Sequence, residues 1–509
     1  MTTFHRLLRY AACAALLATP LLAEVRLPAL IADHMVIQRD RPVHVWGYAD
    51  PREAVSVVFR GDTRSSVADS YGRWSVYFAP VAAGGPFEIT IKASNTITVK
   101  DVLAGDIWVA SGQSNMEMEV NGVTNAKDEI AAANFPQMRL FHALNKVSPY
   151  PLEDIAAQKF GDSTWTAVTP ATVARFSAVA YFFGRHLHEK LGVPIGLIES
   201  NWGGTPAEAW TSLTGLGADA SLMPVFAEWG KMMDSQQAVE LAGALDEKAY
   251  QESAARAKAE GKQPPARQWH WRPNMDLSWQ PAGLFNAMIA PLTHLPIRGA
   301  IWYQGESNAG PERASLYEHL FETMIQDWRR AWGQGDFPFL FVQIANYKTG
   351  PDAQWPVVRD AQRRTLSLAN TGMAVTVDIG DATNIHPLNK QDVGKRLALA
   401  ARAISYGERI EYSGPLFRQT APDGQTMRVW FDHTSGGLQA KGGPLVGFEV
   451  AGADRKFVPA GAQIDGDTVV VSAAEVSQPR YVRYAWKDLP ECNLYNGEGL
   501  PASPFRSGE

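Results

Sequence analysis

The apolar run Ile107-Trp-Val-Ala110, followed by Ser111-Gly-Gln-Ser-Asn-Met116, is the strongest indication of the fold class. Its four consecutive apolar residues end at a turn signal, which predicts a strand buried on both faces of a parallel sheet. Four similar runs follow, at 195–198, 300–303, 339–344 and 374–377. Helical patterns alternate with them, at roughly 172–191, 313–332, 357–369 and 389–406. We therefore predict an α/β domain over residues 105–410.

The sequence on either side of this domain has a different character. Short alternating segments such as Val43-His-Val-Trp46 and Trp74-Ser-Val-Tyr-Phe78 predict an antiparallel β-sandwich over residues 24–104. Segments such as Thr468-Val-Val-Val471 predict a second β unit over residues 411–509. Within the α/β domain, residues 211–280 are rich in Ala, Glu and Lys and predict a helical insertion. We expect this insertion either to cover a bound substrate as a lid or to be a surface addition that has no role in binding the substrate.

Residues 1–23 have the pattern of a signal peptide. Arg6 and Arg9 precede an apolar run from Ala11 to Leu22, which is too short to span a bilayer. We expect export to the periplasm or the extracellular space, with no membrane span. Cleavage would leave Cys492 alone, which excludes an internal disulfide and a cysteine-based metal site. The net charge of −6 gives no electrostatic reason to bind nucleic acid.

Polar clusters follow four of the predicted strands, at 111–116, 200–205, 304–308 and 378–387. Ligands of an open parallel sheet bind at the carboxyl ends of its strands, so these clusters are expected to meet. Three of them also have a purely structural explanation: Ser114 with Glu117 fits a helix capping box, Gly203-Gly204 fits a tight turn, and His386-Pro387 fits a helix entry. Together they supply a serine, a histidine, a carboxylate and spare backbone donors, which are the groups that acyl transfer needs.

Three of these blocks resemble a known family. Gly112-Gln-Ser-Asn-Met116, Trp302-Tyr-Gln-Gly-Glu-Ser-Asn308 and Ile385-His-Pro-Leu-Asn-Lys390 are similar to blocks of the sialate O-acetylesterases and the bacterial carbohydrate acetylesterases related to them, within the SGNH hydrolases. The resemblance implies a flavodoxin-like three-layer α/β/α domain that deacetylates carbohydrates without a metal or other cofactor. It also implies that Ser114 is the nucleophile and His386 the general base.

The remaining roles are left open by the sequence. Many SGNH hydrolases have an Asp three residues before the histidine, where this chain has Thr383. Glu306, by resemblance to related acetylesterases, or else Asp381 is expected to orient His386, and a dyad without an acid is the third possibility. The oxyanion donors are expected to be the N–H groups of Ser114 and Gly204, with the side-chain amide of Gln304 or Asn308.

The substrate is expected to be an acetylated sugar, either a hemicellulose oligosaccharide or a sialic acid. Aromatic residues beside the blocks, namely Trp202, Trp210 and Tyr303, form a candidate sugar platform or pack against the sheet. His186 and His188 lack acidic partners at metal-ligand spacing, so no metal is expected. The alternatives are a different serine hydrolase, although Met116 replaces the last glycine of the Gly-x-Ser-x-Gly elbow, and a carbohydrate-binding protein without activity.

Overall fold

A computed structural model describes residues 24–260, 262–263 and 277–508. The N-terminal part of the protein is β-structure. Its strands bury alternate side chains, for example Val55, Val57 and Phe59. The strands are β1 (Val36–Gln38), β2 (Val43–Tyr48), β3 (Ala54–Phe59), β4 (Asp62–Val67), β5 (Arg73–Phe78), β6 (Gly84–Lys92) and β7 (Thr96–Gly112). All pairings among them are antiparallel except that of β1 with β7.

The strand β7 is shared between two sheets. It has 17 residues, of which the first part pairs with β6 and the last part lies in the central sheet. The predicted division between residues 104 and 105 therefore falls inside one continuous strand.

The central sheet lies at the middle of the molecule. Its further strands are β8 (Phe135–His142), β9 (Trp165–Val168), β10 (Ile195–Asn201), β11 (Gly299–Tyr303), β12 (Phe339–Val342) and β13 (Thr371–Ala374). The order is β13-β12-β11-β7-β10-β8-β9, and every pairing is parallel except that of β8 with β9. β8 and β9 were not predicted from the sequence, and β13 begins and ends three residues before the predicted run at 374–377.

The helices are α1 (Ser114–Glu117), α2 (Ala126–Ala131), α3 (Pro170–Val173), α4 (Ala178–Leu191), α5 (Leu213–Gly217), α6 (Met223–Ala259), α7 (Pro311–Ala314), α8 (Tyr317–Trp332), α9 (Trp355–Arg364) and α10 (Lys390–Ile404). The predicted helix at 172–191 is divided, because the Ser177 hydroxyl accepts the Ala180 N–H and starts α4 separately. The predicted helix at 313–332 is likewise divided between α7 and α8. In the predicted insertion, α6 extends over 37 residues, and residues 264–276 lie outside the described part.

Helices cover both faces of the central sheet. Ile301 of β11 packs in a core with α4 and α10, whereas its neighbours Ala300 and Trp302 pack in a second core with α8 and α9. Successive side chains of a strand point to opposite faces, so both faces of the sheet are buried. This explains why the runs that predicted these strands are apolar without alternation.

The C-terminal part forms antiparallel sheets around a separate apolar core. Its strands are β14 (Leu416–Asp423), β15 (Thr426–Asp432), β16 (Leu438–Ala440), β17 (Phe448–Ala451), β18 (Val458–Pro459), β19 (Gly461–Asp465), β20 (Thr468–Ser472), β21 (Tyr481–Tyr484), β22 (Leu494–Asn496) and β23 (Phe505–Arg506). Among the described residues, no helix combines the length and the apolar character needed to cross a membrane.

Candidate active site

The carboxyl ends of three adjacent strands bring the polar clusters together. Gly112 at the end of β7 pairs with Asn201 of β10 on one side and with Tyr303 of β11 on the other. Gly112 has a φ of 135°, and a Cβ there would lie 2.2 Å from the Tyr303 carbonyl oxygen. Only glycine allows the chain to turn at this position.

A serine and a histidine form a hydrogen bond at this edge. The Nε2 atom of His386 lies 2.8 Å from the Oγ of Ser114. The pKa of His386 is lowered by burial and by the positive charge of Lys390. The imidazole is therefore neutral at neutral pH, which is the form that can take a proton from a serine hydroxyl. Its backbone N–H donates to the Oδ1 of Asn384 at 2.9 Å, which fixes the chain before α10.

The structural explanations for Ser114 and Glu117 do not hold. Ser114 is the first residue of α1 and not its cap, which is Gln113. The Glu117 carboxylate accepts the N–H of Gly203 at 2.7 Å, so it joins two loops instead of closing a capping box. A Cβ on Gly203 would lie 3.3 Å from the Cβ of Ser114, which shows how closely the 200–205 loop packs against the serine.

The two candidate acids lie in different environments. Glu306 is half-buried, its Oε1 accepts from the Nδ2 of Asn115 at 2.7 Å, and its buried Oε2 has no partner among the described residues. Burial raises the pKa of Glu306. Asp381 is exposed, and hydrogen bonds from Thr383 and Asn384 lower its pKa. Within the described residues neither carboxylate bonds directly to His386.

The four candidate oxyanion donors differ in what they already bind. The Ser114 N–H lies at the start of α1, and no hydrogen bond from it occurs among the described residues. No hydrogen bond involves the Gly204 N–H in the described part of the chain. Gln304 donates both amide hydrogens, to the Thr205 carbonyl and to Asn308 Oδ1, so it is wrong as an oxyanion donor. Asn308 donates to Glu208 Oε2 at 2.9 Å and keeps one amide hydrogen.

The candidate sugar platform is reduced to one of its three residues. Trp210 and Tyr303 are 0% and 1% exposed, so neither offers a ring face to a sugar and the expectation is wrong for them. Trp202 is half-buried and precedes the Gly203 that touches Ser114. Trp279 was not singled out from the sequence, yet its Nε1 donates to the Gly204 carbonyl at 2.8 Å and its ring lies 4.8 Å from the Arg313 guanidinium.

The sequence analysis also missed two polar residues beneath the serine and histidine. Lys390 donates from Nζ to the Oδ1 of Asn115 at 2.5 Å, and the Nδ2 of Asn115 donates to the Ile385 carbonyl at 3.0 Å. Both residues lie within the sequence blocks that resemble the family. Nothing else in the sequence indicated a role for them. The described residues contain no group of three His, Cys, Asp or Glu arranged to hold a metal ion.

Known proteins resemble the chain over nearly its whole length. Residues 268–403 match a family described as "Carbohydrate esterase, sialic acid-specific acetylesterase". Mouse sialate O-acetylesterase is 32% identical over 94% of both chains, and the human protein is 31% identical over 94% of this chain and 92% of its own. The chain belongs to the sialate O-acetylesterase family. A solved carbohydrate acetylesterase from Xanthomonas citri matches this acetylesterase with a TM-score of 0.81 and 38% identity, covering 95% of this chain and 100% of the other.

Membership of this family decides between the functions that the sequence left open. A carbohydrate O-acetylesterase is a hydrolase, so neither a binding protein without activity nor an unrelated serine hydrolase is needed to account for the sequence. The family match at 268–403 includes Glu306 and His386 of the acetylesterase, whereas Ser114 lies outside it. The 2.8 Å contact joins the serine to the matched region.

Proposed function

We propose that this protein is an exported serine esterase that removes O-acetyl groups from carbohydrates through an acetyl-enzyme intermediate. The observation that carries the proposal is the 2.8 Å contact between His386 Nε2 and Ser114 Oγ. A serine hydroxyl is a weak nucleophile until a neutral imidazole accepts its proton, and the lowered pKa of His386 keeps that imidazole neutral.

The reaction has two steps. The Oγ of Ser114 attacks the acetyl carbonyl carbon while His386 takes the hydroxyl proton, and the N–H groups of Ser114 and Gly204 with the free amide hydrogen of Asn308 bind the oxyanion. His386 then gives its proton to the departing sugar oxygen, leaving acetyl-Ser114. Water activated by His386 attacks this ester, and acetate leaves with regeneration of the serine.

We propose a neutral acetylated hemicellulose oligosaccharide as the substrate rather than a sialic acid. A sialic acid carries a carboxylate, which favours an arginine that is free to bind it. Arg175 pairs with Glu119, and Arg298 pairs with Asp106, where β7 enters the central sheet. Both of these arginines are therefore engaged by carboxylates, and a third, Arg272, lies outside the described residues.

Replacing Ser114 by Ala tests the mechanism. We expect acetate release to fall by on the order of 10⁴-fold or more, because the nucleophile is lost, with an unchanged melting temperature. Ser307→Ala is the matched control, since it removes a hydroxyl from a neighbouring block. Both variants would be assayed on an acetylated xyloglucan oligosaccharide and on an O-acetylated sialic acid. An active Ser114→Ala enzyme would disprove the mechanism, and release from the sialic acid alone would disprove the proposed substrate.

Export is proposed from residues 1–23, which lie outside the described residues. Their basic start and apolar run support it. Assaying the cytoplasm, periplasm and medium separately, for the full chain and for a chain starting at Glu24, tests this point. Activity of the full chain confined to the cytoplasm would contradict it.

A further inference from the structure

Lys390 is a buried cation next to the catalytic pair. It is the first residue of α10 and is 0% exposed. Its Nζ lies 2.5 Å from the Oδ1 of Asn115 and 5.1 Å from the centre of the Tyr303 ring. Burying an ammonium group without a directly bonded carboxylate costs free energy, and a methionine would fill similar space without that cost. The packing of α10 alone does not account for a lysine at this position.

Asn115 connects Lys390 to both sides of the site. The two hydrogens of its amide group go to Glu306 Oε1 at 2.7 Å and to the Ile385 carbonyl at 3.0 Å, and its oxygen accepts from Lys390. A flipped amide would place its NH₂ group against the ammonium and its oxygen against the carboxylate, two repulsive contacts. Because an ammonium can only donate, Lys390 allows a single orientation of the Asn115 amide.

We propose that Lys390 is a positioning residue of the esterase. By fixing the Asn115 amide it holds Glu306 and the backbone directly before His386, and its positive charge keeps the His386 imidazole in the neutral form that accepts the serine proton. This inference rests on the proposed roles of Ser114 and His386.

The charges around Lys390 determine whether its removal raises or lowers the pKa of His386. Burial lowers the pKa of Lys390 to about 7, against the opposing charge of Glu306. Tyr303 faces the Lys390 ammonium group from β11. Arg359 of α9 lowers the pKa of Glu306, as Lys390 does. Below pH 7 Lys390 is therefore charged, and this charge lowers the pKa of His386 in addition to burial. Removing it should raise the pKa of His386.

Lys390→Met tests the proposal against Lys390→Arg. For Lys390→Met we expect kcat to fall about tenfold or more with little change in KM, because the substrate does not contact the lysine. The acid limb of the kcat/KM profile should move to higher pH by about half a unit or more, since that limb reports the pKa of His386. Lys390→Arg keeps the charge and should keep the acid limb of the unchanged enzyme. Lys395→Met, at an exposed position of α10, is the matched control.

Several outcomes would overturn the proposal. The first is that Lys390→Met has the same kcat and the same acid limb of the kcat/KM profile as the unchanged enzyme. Another is a lower kcat with an unmoved acid limb, which would mean that the lysine only packs. If Lys390→Met does not fold, Lys390→Gln, which also removes the charge, takes its place. The pKa of the His386 imidazole is then measured by NMR in this variant and in the unchanged enzyme, with His386→Gln for assignment. A higher pKa of His386 in the uncharged variant supports the proposal, and an equal or lower pKa overturns it. An active Ser114→Ala enzyme would instead disprove the function on which the proposal rests.

Discussion

Glu306 and Asp381 are the two carboxylates expected to orient His386, and their surroundings differ. The Asp381 carboxylate accepts three hydrogen bonds, from Thr383 and Asn384, and it is exposed to solvent, so its charge stabilises its own loop. The Oε2 atom of Glu306 is buried and has no partner among the described residues. A buried acceptor without a donor is costly, and an imidazolium forming nearby would relieve that cost. We therefore propose that Glu306 is the third catalytic residue.

Paired amide variants test this assignment. Glu306→Gln should lower kcat by about 10- to 1000-fold, because the charge that stabilises the imidazolium is lost while the Asn115 contact is kept. Asp381→Asn should change kcat less than about threefold, because an amide oxygen can still accept from the Thr383 N–H. Steady-state kinetics on one acetylated oligosaccharide measures both. The reverse order of effects would make Asp381 the orienting acid.

The sequence could predict the reactive residues but not how the others are used. Ser114 and His386 carry chemistry that few other side chains offer, and their blocks follow predicted strands. Asn115 and Lys390 stand in the same blocks, but an amide and a lysine have many uses, so their bridge becomes visible only in space. The burial of Trp210 and Tyr303 depends on residues distant in the chain, and no local pattern reports it.

Among the secondary-structure elements, β7 is the strand that joins the N-terminal strands to the central sheet. Asp106, where β7 enters the central sheet, is 0% exposed and accepts from Arg39 at 2.9 Å and from the Tyr406 hydroxyl at 3.0 Å. Arg298 pairs with it from the chain just before β11. Burial would raise the pKa of Asp106, but the hydrogen bond from Arg39 and the charges of Arg298 and Arg39 bring it below its ordinary value. This cluster fastens the N-terminal strands to the central sheet.

Arg39→Met should destabilise the protein by about 3 kcal/mol, because it leaves a buried carboxylate with a single arginine. The lowered pKa of Asp106 stabilises the folded state above the unfolded value of about 3.9, and this contribution is lost as the pH falls through the folded value. The difference in melting temperature between the two proteins should therefore be full at pH 7 and shrink below about pH 4. Arg41→Met, at an exposed position, is the control. A difference that does not depend on pH would mean that Arg39 acts through packing alone.

The strands that the sequence missed show the limit of pattern reading at this scale. β8 contains Arg139, a charged residue that is 5% exposed and pairs with Asp101 at 2.7 Å. An arginine interrupts an apolar run, so β8 lacked the signal that predicted β7 and β10. β9 has only four residues, and its place at the sheet edge is fixed by pairing with β8.

At the scale of the whole molecule, one arginine joins the C-terminal sheets to the catalytic edge. Arg359 of α9 is 0% exposed and donates to the carbonyls of Lys487 at 2.8 Å and Asp488 at 3.0 Å. It also donates to the Oδ1 of Asn346, whose backbone oxygen accepts the Asp381 N–H ahead of His386. The docking of the C-terminal part and the loop that carries the histidine thus share one guanidinium.

Arg359→Met should loosen the C-terminal part, and the single thiol of a chain starting at Glu24 reports this. Burial raises the pKa of Cys492 to about 11, so at pH 8 the folded protein holds almost no reactive thiolate and labelling should be slow. In Arg359→Met the carbonyls of Lys487 and Asp488 lose their hydrogen bonds from the guanidinium group. We expect labelling to accelerate at least about tenfold and kcat to fall, because the support of the His386 loop is lost. Arg480→Met, exposed in the C-terminal part, is the control. Labelling of Arg359→Met at the rate of the unchanged chain would show that the C-terminal sheets stay docked without this residue.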